Sequence, residues 1–177
     1  MTADELLAIL DDLGSVASPE APGFTELDHA LQCAFELAAR HPDDVALHVA
    51  GLVHDIGHRF GDDASHGRLG AVAVRPLLGA RIAALVEDHV PAKRYLVAVD
   101  PSYPISAVSS ATLAAQGGPL SEDGCRAFAA RPWHLDALAL RRADDAAKVA
   151  GRVVPPLESW SGAVRHVARA ALRPGAS

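Results

Sequence analysis

The stretch LVHDIGHRF, residues 52 to 60, sets a His-Asp doublet, His54 and Asp55, near the end of an apolar run, with His58 four residues after His54. An unpaired carboxylate is costly to bury there, and a bound cation would offset that cost. An aspartate that caps or salt-bridges a helix end would offset it too. Imidazole and carboxylate suit iron, zinc and manganese alike, so the doublet by itself leaves phosphoester hydrolysis and oxygen activation equally open.

Further ligand types stand on other predicted helices. His29 lies beside Asp28 and Gln32, His66 opens HGRLGA, His89 falls in VEDHVPAKRYL, and Asp144 sits in LALRRADDAAK. Each adjoins an apolar stripe, which is what a metal site inside a helical bundle requires. Any one of them alone reads as an ordinary hydrogen-bonded core or surface group.

The elements that must position these residues are helices. Alanine and leucine dominate, apolar positions recur at three and four, and alternating β-branched runs are scarce. Caps and breakers predict a helix from Thr2 to Gly14, one from the Thr25 cap, and one from Pro42 to about Gly57. Further helices are predicted over about 67 to 78, 80 to 90 (stopped by Pro91), 106 to 115, 121 to 130, 132 to 149 and 158 to 172. VDPSYP and VVPPLE read as loops, and the tail RPGAS as frayed. Trp133, Trp160 and Phe128 are expected in the core.

A chain of 177 residues that is 50% hydrophobic can build one domain with a substantial core. A net charge of -6 argues against a nucleic-acid surface. The two cysteines, Cys33 and Cys125, form no CxxC pattern and suit a reducing compartment. MTADELLAIL lacks the basic start of a signal peptide, and no uninterrupted apolar run approaches the roughly 20 residues of a membrane span. The expectation is a soluble cytoplasmic protein with a small partner, binding neither nucleic acid nor membrane.

In their order, an early His, the His-Asp doublet and a late helical Asp, these residues resemble the HD-domain superfamily. The segments ELDHALQCA, HDIGH, HGRLGA, HVPAKRYL, SSATLAAQGGPL and LRRADDAAK together resemble its mixed-valent diiron oxygenases. That group contains organophosphonate-oxidising enzymes and, more distantly, myo-inositol oxygenase. The likeness runs from about residue 25 to 150. It implies an all-α fold, a single HD-domain helical bundle over residues 1 to 177 with a dinuclear metal site in its core.

The resemblance assigns His29, His54, Asp55 and Asp144 to one iron, and Asp55, His66 and His89 to the other, with Asp55 bridging. Asp144 takes this place rather than Asp145 because the family pattern counts four residues back from Lys148. Fe(II)/Fe(III) and dioxygen as co-substrate are implied with it. His54, Asp55 and His58 are then the catalytic candidates.

The spacing also suggests where an anionic substrate would lie. His58, one turn after His54, is expected on the same helical face. Lys93 follows His89 by four and Arg141 precedes Asp144 by three, so both can bring positive charge, while Ser109 and Thr112 can add hydroxyl donors. In the phosphonate-oxidising branch the matching positions contact the phosphonate. The alternative for Lys93 and Arg141 is an exposed cation at a helix end. Arg94, Arg142 and Lys148 read that way, although Lys148 could also partner an acidic ligand.

One departure stands out. That branch has a tyrosine and a glutamate before the first ligand histidine, which recognise an amine-bearing substrate. Here SVASPEAPGFTELDH holds no tyrosine and only Glu20 as a candidate. His41, His48, His134 and His166 read as solvated or structural.

The function that the resemblance implies is iron-dependent oxidation of a small organophosphonate at the carbon next to phosphorus, by hydroxylation or by cleavage of the carbon-phosphorus bond. The alternative is a metal-dependent phosphohydrolase acting on a nucleotide or another phosphoester.

Overall fold

The structure is a computed structural model that describes residues 1 to 173. Of the predicted tail, residues 174 to 177 lie outside the described residues. Among the described residues eight α-helices follow one another: α1 Ala3–Asp12, α2 Glu26–Arg40, α3 Val45–Val53, α4 His66–Val99, α5 Ala107–Ala115, α6 Glu122–Ala129, α7 His134–Ala146 and α8 Leu157–Ala171. Short 3-10 turns, Leu13–Ser15 and Ile56–Arg59, follow α1 and α3. Among the described residues there is no β-strand beyond an isolated bridge between Ala17 and Thr25. The fold is all-helical.

The starts of α1, α2, α3, α5 and α6 are set by side chains that satisfy orphan backbone N–H groups. Thr2 with Glu5 and Thr25 with Asp28 form reciprocal capping boxes, and Asp44, Ser106 and Ser121 cap α3, α5 and α6. α2 packs against α3 and α7, α4 packs against α7, and α8 closes over α3 and the α4 face. Leu37, Leu52, Ile82, Leu85 and Leu140 fill the shared core.

α4 is long and apolar enough to cross a membrane by length and composition, but it is not a straight rod. Gly79, at φ 85°, breaks it into stretches 66 to 78 and 80 to 99. A β-carbon on Gly67 would lie 3.2 Å from the Glu87 carbonyl, so the two stretches run back along each other. This reversal makes His66 and His89 neighbours although they are far apart along the helix.

Three expected boundaries are corrected. The helix does not stop at Pro91 but continues to Val99. Proline forgoes one ladder hydrogen bond, and burial of Val86, Ala92 and Leu96 around it outweighs that loss. The helix predicted to reach Gly57 ends at Val53, because the His54 ring turns back to bond the Gly51 carbonyl and the chain tightens into the 3-10 turn. The helix expected from 132 begins at His134, because Trp133 adopts a left-handed conformation at φ 60°. That residue is 38% exposed and not in the core, whereas Trp160 and Phe128 are buried.

Gly57 is the tightest point of the doublet turn. A β-carbon there would fall 1.8 Å from the His66 carbonyl oxygen and 2.8 Å from the Gly70 nitrogen, with backbone on both sides and nothing able to yield. Gly57→Ala is expected to cost about 3 kcal/mol. Thermal melts of the two proteins would read this as a fall in Tm, and an unchanged Tm would contradict the packing described.

Candidate metal centre and anion cavity

Four histidine rings are anchored in the same manner. The Nδ1–H of His29 donates to the Ala147 carbonyl at 2.8 Å, His54 to Gly51 at 2.8 Å, His66 to Asp63 at 2.8 Å and His89 to Val86 at 2.6 Å. With Nδ1 committed as donor, the neutral ring presents a lone pair at Nε2. All four Nε2 atoms point at one another's neighbourhood: His29 to His54 is 3.2 Å and His66 to His89 is 2.8 Å. Two lone pairs at such distances repel unless a proton or a metal cation lies between them.

Asp55 divides its carboxylate between the two pairs. Oδ2 lies 3.1 Å from His54 Nε2 and 3.5 Å from His29 Nε2, while Oδ1 lies 3.3 Å from His89 Nε2 and 3.5 Å from His66 Nε2. Asp144 Oδ1 joins the first group, 3.2 Å from His29 Nε2. Ligand atoms about 2.1 Å from a common metal stand about 3 Å apart. The donor set therefore fits two cations sharing Asp55, with four donors on one side and three on the other. The carbonyls that accept from Nδ1 are the outer partners that such ligands need.

Without a cation, protons must balance the cluster. Burial pulls the His29 pKa down, but hydrogen bonds to Asp144 and Asp55 overcome it and lift the group to about 10. Burial opposes charge on His54 as well, and the adjacent Asp55 raises it well above its usual value. His89 is pushed down to about 4 by burial, with charged His66 beside it. Desolvation would raise both carboxyls, yet His54 holds Asp55, and Arg141 with His29 holds Asp144, well below the usual carboxylate range.

A cavity of about 530 Å³ opens above the cluster, and Lys93, Ser109, Thr112, Arg141 and His58 all line it. Lys93 and Arg141 are each only 3% exposed, which removes the reading of them as surface cations. Arg141 donates to Asp144 Oδ2 at 2.7 Å and grips Asp145 with Nε and Nη2. Tyr103 closes that network by donating to Asp145 Oδ2 at 2.5 Å. Asp145 thus faces Arg141, and Asp144 faces His29.

Ser109 Oγ accepts from Arg141 Nη2 at 3.2 Å and from Lys148 Nζ at 2.9 Å. Both lone pairs are used, so its own O–H is free to donate. Lys93 Nζ donates to Thr112 Oγ1 at 3.0 Å and has no carboxylate partner among the described residues. Burial, then the neighbouring charge of Arg141, lowers its pKa to about 8.

His58 differs from its expected pose. It leaves the 3-10 turn rather than the face of a continuing helix, stacks on the His66 ring at 4.1 Å, and lies 3.6 Å from Asp63. It still lines the cavity, and its ring can approach the Asp55 and His66 donors.

Lys148 is a correction. It is not an exposed cation but a half-buried part of the wall, 2.9 Å from Glu20 and 3.7 Å from Asp144. Its i+4 spacing from Asp144 was the available signal. Glu20, in a loop, carried no signal of its pairing with Lys148 and Ser106. Arg94 binds the Gly117 and Gly118 carbonyls, and Arg142 is exposed. Of the remaining histidines, His48 donates to or accepts from no cluster member and bonds the His41 carbonyl. Cys33 is fully buried.

No family model matches the chain. It is 34% identical to the hydroxymethylphosphonate dioxygenase of Gimesia maris, the match covering 88% of this chain and 82% of that protein. It is 33% identical to the glycine-betaine-forming 1-hydroxy-2-(trimethylamino)ethylphosphonate dioxygenase of Leisingera caerulea, over 74% and 72% of the two chains. An uncharacterised protein of Acanthamoeba polyphaga mimivirus is 30% identical over 77% and 68%.

Two outcomes are expected of the donor cluster. Because the folded His29 pKa of about 10 exceeds the usual 6.5, its contribution to metal-free stability is complete below about 6.5 and lost as pH rises toward 10. A cation must displace that proton, so metal affinity should rise over the same interval. Metal-free melts that rise in Tm between pH 7 and 10 would contradict this. Asp55→Asn should lower metal content on both sides of the cluster and Asp144→Asn on one, as read by elemental analysis.

Proposed function

Because the chain belongs to the family of phosphonate dioxygenases, we propose that it uses an Fe(II)/Fe(III) pair and dioxygen to oxidise a small 1-hydroxyphosphonate at the carbon next to phosphorus. The carbon-phosphorus bond breaks, and the products are phosphate and a carboxylic acid. Both oxygen atoms of dioxygen are then accounted for, and the substrate supplies the electrons. The observation that carries the reading is Asp55 shared between two buried histidine pairs beneath a cavity walled by cations.

His29, His54, Asp55 and Asp144 would hold one iron, and Asp55, His66 and His89 the other. Bound there, iron supplies the activation of dioxygen that no side chain of this site can perform. The ligand order along the chain supports an HD-type bundle, with residues 1 to 177 acting as one domain.

The protein's own groups bind and orient the anion. Ser109 offers its free O–H, and Arg141, fixed by Asp144 and Asp145, holds Ser109 in place without swinging. Lys93 is the wall cation whose charge is least compensated, so a phosphonate oxygen is its natural partner, and that anion in turn stabilises its protonated form. Thr112 holds the Lys93 ammonium by accepting from it while donating to the Ser109 carbonyl at 3.2 Å. His58, at the mouth, is placed to donate to the same anion.

Glu20 informs substrate size. Its Oε1 is met by Lys148 at 2.9 Å and Ser106 at 3.0 Å, and with its charge paired to Lys148 it has less call for a cationic substituent. This favours a compact hydroxyphosphonate over one with a quaternary ammonium. Hydrolysis of a phosphoester, the alternative raised by the sequence, has no support from the named relatives.

Anaerobic loading with iron(II), followed by partial oxidation with a one-electron chemical oxidant, should give the spin-coupled signal of an Fe(II)/Fe(III) pair. Adding oxygen with hydroxymethylphosphonate should release phosphate, seen by phosphorus NMR. No coupled signal and no phosphate would sink the proposal. Lys93→Ala is expected to weaken phosphonate binding by about tenfold to a hundredfold with iron content unchanged. Iron lost in step with binding would move Lys93 from the anion to the metal.

A further inference from the structure

α5 presents Ser109, Thr112 and Gln116 at intervals of three and four, so the three share one face, and all three line the cavity. The first two have been placed with the anion-binding cations. Gln116, the C-cap of α5, has a different chemistry.

Its Nε2 donates to the Asp63 carbonyl at 3.1 Å. The same carbonyl accepts Nδ1–H of His66 at 2.8 Å. Turning the amide over would set Oε1 against that carbonyl oxygen, acceptor against acceptor, so the orientation is dictated by the bond. Oε1 is then left over. It is buried, and among the described residues it is the one buried side-chain oxygen or nitrogen without a hydrogen-bond partner. A buried acceptor is costly to leave unpaired and calls for a donor.

None of the cavity's charged groups bonds it: Arg141 is held by Asp144 and Asp145, Lys148 by Glu20 and Ser109, and Lys93 donates to Thr112 instead. Nor does an acceptor suit the oxygens of a phosphonate dianion, which it would repel. It suits an O–H carried elsewhere on the ligand. In a 1-hydroxyphosphonate that group is the hydroxyl on the carbon beside phosphorus.

We propose that Gln116 Oε1 accepts the hydroxyl hydrogen of the substrate, making Gln116 a specificity-determining residue that selects 1-hydroxyphosphonates over phosphonates lacking the hydroxyl. The assignment rests on the phosphonate reading of the cavity. Its Nε2 bond to Asp63 ties this contact to the backbone that also anchors His66, so the acceptor is held in place before the substrate arrives.

The test is anaerobic calorimetric titration of the iron-loaded protein with hydroxymethylphosphonate and with methylphosphonate. Gln116→Met keeps the length of the side chain and removes both hydrogen-bonding groups. It should weaken hydroxymethylphosphonate about tenfold and change methylphosphonate less than twofold, with iron content unchanged. Gln116→Leu gives the same comparison if the methionine variant does not fold. An equal loss for both ligands would make Gln116 a tether of the Asp63 carbonyl only, and no loss for either would leave Oε1 to solvent; each overturns the assignment. If the unsubstituted protein binds neither phosphonate, the reading of the cavity itself falls, a result distinct from either.

Discussion

Everything in this protein turns on four ring nitrogens being bonded outward so that four others must face inward. Each Nδ1–H of the cluster donates to a backbone carbonyl of Ala147, Gly51, Asp63 or Val86. Those bonds do more than hold rings still. They choose the tautomer, which puts lone pairs close together with Asp55 between them, an arrangement unstable unless positive charge is supplied. Protons can supply it, as the elevated His29 and His54 pKa values express, but they cannot satisfy all donors at once.

The fold can be read as the means of delivering those carbonyls. The Gly51 and Val86 carbonyls lie one turn behind the rings they anchor, so α3 and α4 provide them locally. The Ala147 carbonyl comes from the chain just after α7. Gln32 holds that segment by pairing both amide atoms with the Val149 backbone, at 2.8 and 3.1 Å. A glutamine on α2 thus sets the partner of a histidine on the same helix through a loop that is distant in sequence. The reversal at Gly79 does comparable work for His66 and His89.

This division explains which features were legible in the sequence. Ligand types at helical positions, capping boxes at Thr2 and Thr25, and the break between 78 and 80 are local signals, written in residue identity and spacing. Pro91 misled because tertiary burial outweighs one lost ladder bond. Trp133 misled because helical spacing alone does not say whether its own backbone is helical. Pairings such as Glu20 with Lys148 depend on where loops return, and no local pattern encodes that. His58 was placed at the right cavity from the wrong helix geometry, since the His54 ring that defines the cluster also ends the helix on which the spacing argument relied.

The cavity follows the same economy as the His/Asp cluster beneath it. Arg141 is neutralised by Asp144 and Asp145, and Lys148 by Glu20, so these cations are fixed in position but have little net charge to offer. Lys93 alone of the three is held only by a hydroxyl. Burial makes that charge costly and lowers its pKa to about 8, so an arriving dianion gains most from Lys93 and is oriented by the rest. An acid close to Lys93 would remove this advantage. A wall without the other two pairs would lack the rigidity to present Ser109's free hydroxyl. The site therefore separates placement from attraction, giving the first to paired charges and the second to Lys93, which among the described residues has no carboxylate partner.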